Sequence, residues 1–341
     1  MATIKDVAKK AGVSVAVVSK AFNNYKDISP ETRKRILEIA KELNYSPNRI
    51  ARKLSSKKHS AISLISSGFA ENDKKDNNSF ELFKGVYIGS KEKNLDFSIY
   101  FTDSSKQHEI SFVQYCRQHN IGGTILQGIR LDDPYFKELV DAKTPCVLID
   151  VAMEEKNPLV GLVTIDNFKA TKEITNYLLD LGHDDFVIVA GRKEAYVNEQ
   201  RLLGVKSALN EVGITLDDTK IIYADFSDQL AYEKVSVYLN KHRPSAFICF
   251  SDLMAYGAIR AIQDFGLSVP EDISVTGFDD SMISSMSQPT ITTIEQNFFE
   301  MGRQAAHLLN KLMNNETEEN EVYLGYKLLE RESVTSKNRH I

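Results

Sequence analysis

From about residue 60 onward, short apolar runs alternate with amphipathic stretches of helical period, and this alternation constrains the fold more than any other feature of the chain. The apolar runs fall at 61–66, 96–101, 123–127, 145–150, 186–190, 220–224, 246–250 and 272–277. Helical stretches fill 80–93, 106–119, 133–142, 168–181, 199–212, 228–241, 253–265 and 297–313. Strands separated by helices pair in parallel, and their sheets are covered on both faces. Eight such units exceed one comfortable sheet, so the body is expected to be α/β, as two doubly wound parallel-sheet lobes with a break near 160–165. Ligands of such folds sit at the carboxyl ends of the strands, here in the cleft between the lobes. Residues 71–78 and 314–320 read as a polar and an acidic loop.

The first sixty residues have a different period. Ile4, Val7, Ala8 and Ala11 form one apolar stripe of a first helix, with Thr3 as its N-cap. Gly12 supplies a sharp turn. Ser14 caps a second helix with Val17, Val18, Ala21 and Phe22 inside, ending at Asn23 and Asn24. Ser29, Pro30 and Glu31 open a third helix that buries Ile36, Ile39, Ala40 and Leu43 and ends near Asn44. Small Ala8 lets the second helix approach, Gly12 turns the chain and Val18 closes the pair, which is the steric logic of a helix-turn-helix. Helical hairpins with no nucleic acid partner share this spacing.

Charge separates the same two regions. Residues 1–60 hold 14 Lys and Arg against 5 Asp and Glu, a net of +9, while the rest hold 28 against 42, a net of −14. A basic head on an acidic body suits a protein that touches nucleic acid with one end. No run approaches the ~20 apolar residues of a membrane span, and residues 1–10 lack the apolar block of a signal peptide, so a cytoplasmic protein is expected. Cys116, Cys146 and Cys249 stand far apart in apolar runs and read as packing residues. His183 reads as a helix-ending turn residue. Phosphate-binding, zinc-hydrolase and nucleophile-elbow motifs are absent from the sequence, so no enzyme, cofactor or metal is expected.

The runs TIKDVAKKAGVSVAVVSKAFNN and ISPETRKRILEIAKELNYSPNRIARKLSSKK resemble the head and hinge of the lactose-repressor (LacI/GalR) family of bacterial transcription regulators. LGHDDFVIVAG, EQRLLGVKSAL, CFSDLMAYGAIRAIQDFGLSVPEDISVTGFDD, TTIEQNFFEMG and LLERES resemble its sensor domain, which is similar to periplasmic sugar-binding proteins. The resemblance spans essentially the whole chain, with the motifs in order. It implies an all-α head at 1–46 and a hinge at 47–59. It further implies an N-terminal lobe from 60–163 and 294–322, a C-terminal lobe from 164–293 and 323–335, and a tail at 336–341.

For DNA, the resemblance implies that Val15 and Ala16 face base edges, with Thr3, Ser14, Ser19, Lys20 and Asn23 nearby. The family usually carries Thr where this chain has Val17, and Arg where it has Lys20; a lysine lacks the bidentate fork. Pro47 breaks the chain, and Asn48 and Arg49 open a short hinge helix that forms when two copies pair. Ala51 is small enough for the pair to touch, and Leu54 matches a residue that wedges into the minor groove. For the effector, the implied residues are Ser67, Asp150, Arg201, Phe226, Ser251, Asp279 and Gln296. Ser251 stands where Asn is usual, and Thr164 and Asp166 are secondary candidates. A guanidinium and a carboxylate suit adjacent hydroxyls, and an aromatic face suits a sugar ring.

The resemblance therefore implies a homodimeric repressor on a pseudo-palindromic operator, controlled by a small molecule, with a sugar or sugar phosphate expected. Purines are a further class the same polar groups would hold. With no heptad repeat after LLERES, a dimer is expected rather than a tetramer. The alternative is a catabolite-control type of regulator, switched by a phosphorylated carrier protein on the N-terminal lobe.

Overall fold

In the computed structural model, the described residues are 2–22, 25, 27–45, 61–68, 78–316 and 318–337. The chain divides into two compact units, Met1–His59 and Ser60–Ile341.

The first unit contains helices α1 (Ile4–Ala11), α2 (Val15–Phe22) and α3 (Pro30–Glu42). Thr3 caps α1 in a reciprocal box with Asp6, and Gly12 at φ 64° ends the helix in the left-handed conformation. Ser29 caps α3, accepting from the Thr32 amide at 3.2 Å, with Pro30 at the first helical position. Val7, Ala8, Ala11, Val18, Ala21, Ile36 and Ala40 form the core where the three helices meet. The three expected helices and their apolar faces are all present.

The second unit holds two parallel sheets. The first contains β1 (Ala61–Ser67), β2 (Asp96–Thr102), β3 (Gly123–Gln127), β4 (Cys146–Ile149), β5 (Val160–Ile165) and β11 (Glu321–Leu324), in the order β11-β5-β4-β3-β1-β2. The second contains β6 (Phe186–Ala190), β7 (Ile221–Tyr223), β8 (Ala246–Cys249) and β9 (Ser274–Thr276), in the order β7-β6-β8-β9. A separate antiparallel pair, β10 (Thr293–Gln296) with β12 (Tyr326–Leu329), accompanies them. Helices α4 (Asn78–Glu92), α5 (Ser104–Glu109), α6 (Phe112–Gln118), α7 (Pro134–Glu138) and α13 (Phe298–Asn314) belong to the first lobe. To the second belong α8 (Asn167–Asp180), α9 (Tyr196–Glu211), α10 (Asp228–Leu239), α11 (Asp252–Asp264) and α12 (Met282–Met286). Gly85 and Gly302 let α4 and α13 touch backbone to backbone; a Cβ on Gly85 would strike the Phe299 carbonyl, and one on Gly302 the Leu82 carbonyl.

All eight expected strands form, but several details differ from expectation. The segment expected as the break between lobes, 160–165, is β5, a fully buried strand of the first sheet. The alternation pattern misses it because no helix separates it from β4. The first crossing therefore follows Ile165, and Tyr323 and Leu324, expected in the second lobe, pair with Thr164 and Ile165 of the first sheet. The single helix expected over 106–119 is broken at Ile110, where Ser111 caps α6 by accepting from the Gln114 amide at 3.2 Å. The stretch at 133–142 is α7 followed by a 3-10 turn at Leu139–Asp141.

Candidate functional site

On the head, Ser14, Val15, Ala16 and Lys20 are exposed on or beside α2, and Ser19 is half-buried. Ser14 Oγ accepts from the Val17 amide at 3.3 Å, capping α2. Ala16 and Lys20 lie one turn apart and so share a face. The Lys20 ammonium is 2.5 Å from Asp27 Oδ2. Thr3 is exposed but engaged in its capping box. Asn23 and the hinge residues Asn48, Arg49, Ala51 and Leu54 lie outside the described residues.

In the body, a cleft of about 970 Å³, open to solvent, lies between the two lobes at the carboxyl ends of the strands. Ser67, at the end of β1, and Asp150, just past β4, line it from the first lobe; Tyr196 and Phe226 line it from the second. Ser67 Oγ accepts from Gln107 Nε2 at 3.1 Å, and Gln107 Oε1 accepts from the Tyr135 amide at 3.2 Å, so a buried glutamine fixes the hydroxyl. Asp150 adopts φ 58° and accepts from the Thr164 hydroxyl at 2.6 Å. Burial raises its carboxyl, while the Thr164 hydroxyl and the Arg201 charge oppose that shift. Asp225 and Phe226 take φ 52° and 60°, a strained pair that presents the ring at the cleft. The ring lies flat on Gly191, where an added Cβ would fall inside it.

The remaining expected effector residues are placed elsewhere. Asp279 and Gln296 line a second, neighbouring cavity with Asn78, Glu81 and Glu295, and Phe298 stands in both walls. Asp279 accepts from Gln296 Nε2 at 2.5 Å and from Asn78 Nδ2 at 3.3 Å, the latter a contact from one lobe to the other. Arg201 and Ser251 are buried and line neither cavity. The guanidinium donates to Asn167 Oδ1 at 2.8 Å and to the Phe250 carbonyl at 2.5 Å, sits 3.8 Å from Asp279 and stacks 3.6 Å over Phe278. Two of its five N–H groups are thus spent on the protein. Ser251 Oγ caps α11, accepting from the Met254 amide at 3.2 Å. Of the secondary candidates, Thr164 anchors Asp150 and Asp166 caps α8.

Sequence reasoning missed Gln127, Arg130, Arg192 and Tyr196 in the cleft wall. Gln127 ends β3, so the strand-end rule applied to it; the arginines sit on loops that carry no such signal. It also missed Asp252, the first residue of α11, which is fully buried. Its carboxylate accepts from the Ser281 amide at 2.7 Å, the Ser281 hydroxyl at 3.1 Å and the Thr293 hydroxyl at 2.6 Å. Burial nevertheless pushes the carboxyl up to about 7 from an ordinary value of 3.8. A raised folded-state pKa stabilises the protein while the group is protonated, so this contribution is lost as pH rises from about 4 to about 7. Urea unfolding across that range should show wild type losing stability relative to Asp252→Asn; a constant difference would mean the carboxyl titrates normally.

Cys116, Cys146 and Cys249 are free and buried, as expected of packing residues. His183 follows α8, where its Nε2 lies 2.9 Å from the Thr335 carbonyl. Among the described residues no helix is long and apolar enough to cross a membrane.

Comparison with known proteins agrees with this geometry. Residues 3–48 match the family described as bacterial regulatory proteins, lacI family, and residues 175–334 match the periplasmic binding protein-like domain. Catabolite control protein A of Priestia megaterium is 32% identical over 319 residues, covering 92% of this chain and 93% of that protein. The lac repressor dimer bound to operator and the anti-inducer ONPF aligns with a TM-score of 0.84 at 26% identity, over 98% of this chain and 99% of that one. The transcriptional regulator CelR in complex with cellobiose aligns with a TM-score of 0.75 at 28% identity, over 98% of this chain and 100% of that one. A helix-turn-helix head on a two-lobed, cleft-bearing body, matched along nearly its full length, places this chain in the LacI family of bacterial transcription regulators.

Proposed function

We propose that the protein is a homodimeric repressor whose operator affinity is set by a small polyhydroxylated effector in the interlobe cleft. The observation that carries this reading is the pairing of a hydroxyl and a carboxylate, Ser67 and Asp150, with the aromatic face of Phe226 in one cleft. Polar groups of this kind fix adjacent hydroxyls, and the ring covers an apolar sugar face. The lac repressor's anti-inducer and CelR's cellobiose are small-molecule ligands of relatives with this fold. The ligand leaves unchanged, and the protein works where chromosomal DNA is, in the cytoplasm.

Val15 and Ala16 face base edges in this reading, and residues 47–59 join head to body. Two heads occupy successive major grooves ~34 Å apart. A second copy is supported by an apolar face on the first lobe. Phe80, Tyr87, Ile99 and Phe101 are exposed on α4 and on β2, the open edge of its sheet. Met282 and Met286 of α12 are exposed on the second lobe. Apolar groups in such numbers on a sheet edge call for a cover. Effector binding shifts the lobes and alters operator affinity through a coupling of typically ~1–3 kcal/mol.

Removing residues 1–59 tests the division of labour. The remaining body should lose all measurable operator affinity, still sediment as a dimer and still bind its effector. Operator affinity retained by the truncated protein would refute the reading. Similarity to catabolite control protein A supports a second reading, in which a protein partner supplies the switch.

A further inference from the structure

Lys20 is the single basic residue of α2, and it shares an exposed face with Ala16. Its ammonium is held by Asp27, which lies in the turn ahead of the Ser29 cap of α3. Both side chains remain about half exposed, at 46% and 54%. An exposed ion pair adds little to folding stability. Its consequence lies in what this face of the head can bind.

A lone ammonium on a DNA-facing helix gains from any phosphate, whatever the sequence. An ammonium with a carboxylate 2.5 Å away does not, because the same phosphate repels the carboxylate. The couple gains only where an acceptor for the ammonium lies beside a donor for the carboxylate. The major-groove edge of a G·C pair offers that arrangement: guanine N7 and O6 accept, and the adjacent cytosine N4 amino group donates. An A·T pair places its donor between two acceptors and adds a methyl group on thymine, so it fits a side-by-side cation and carboxylate less well.

We propose that Lys20 and Asp27 read one G·C base pair per half-site as a unit, with Asp27 the specificity-determining member. This rests on the DNA-binding role of α2. Asp27 also lowers non-specific affinity, since it neutralises the one cation that α2 would offer to phosphates.

The test uses the full-length protein and a duplex library randomised over roughly two helical turns. Wild type, Asp27→Asn, Lys20→Met and the double variant each select from the library, and anisotropy then gives affinities for selected and unselected duplexes. Wild type should enrich half-sites with an invariant G·C pair at one position. Asp27→Asn, which preserves size and leaves the helices capped, should retain the other positions and lose roughly tenfold in discrimination against A·T there. It should also bind unselected duplex more tightly, with a salt dependence steeper by about one counterion per head. In the Lys20→Met background the same substitution should leave base discrimination at that position unchanged. An Asp27→Asn variant with the wild-type base profile and salt slope would overturn the proposal. A wild type that enriches no sequence would instead refute DNA reading by α2 and, with it, this couple.

Discussion

Arg201→Ala is expected to abolish the effector's influence on operator binding and to cost the body about 3–5 kcal/mol of stability. The stability loss follows from burial. Arg201 is 3% exposed, and its removal strands Asn167 Oδ1, the Phe250 carbonyl and part of the Asp279 charge in a dry interior. The functional loss follows from connectivity. Asn167 donates to Thr164 at 3.3 Å, Thr164 donates to Asp150, and Asp279 joins Gln296 to Asn78 across the lobes. One guanidinium thus supports the polar walls of both cavities. Arg201→Lys should recover part of the stability and little of the response, because an ammonium cannot reach both acceptors as the planar fork does. Urea unfolding and effector titration on the same samples separate the two losses. Full stability in Arg201→Ala would mean that the network is not coupled as described.

Gly191→Val is expected to weaken effector binding at least 100-fold while leaving effector-free operator affinity within about twofold of wild type, a difference of at least about 2.7 kcal/mol. Gly191 ends the β6 turn beneath the Phe226 ring, with no space for a side chain. A branched side chain must push the ring off its floor and into the cleft, at an overpacking cost of about 1–3 kcal/mol. Because the substitution lies in the body, the DNA-binding surface of the head is untouched. Isothermal titration and operator anisotropy check the two halves of this expectation. Unchanged effector affinity would remove Phe226 from the binding surface.

Much of this architecture was legible in the chain. The period-2 to period-3.6 alternation marks β1 to β4 and β6 to β9, and the caps Thr3, Ser14 and Ser29 mark the head helices. It fails at β5 and β12, which follow β4 and β11 with no intervening helix, and at the four-residue strands β10 and β11, although these follow α12 and α13. Ser67 and Asp150 were assigned to the ligand by resemblance, and both stand at the carboxyl ends of first-lobe strands, where the cleft lies. Arg201 and Ser251 were assigned to the ligand by resemblance, and their burial was invisible because it depends on which acceptors Asn167, Phe250 and Met254 bring to them. Arg130 and Arg192 reach the cleft from loops, whose course no periodicity encodes. Asp252 carries the local mark of an acid in a first helical turn, but its burial arises from Ser281 and Thr293, distant in sequence.

The most direct test of ligand-controlled repression is operator affinity, measured by fluorescence anisotropy on the DNA upstream of the protein's own gene, with and without a panel of sugars, sugar phosphates and purines. The expected result is tight binding that one polyhydroxylated compound shifts by roughly 5–150-fold, with the shift absent in Arg201→Ala. Tight binding that no compound on the panel changes would contradict control through the cleft and favour a protein partner as the switch.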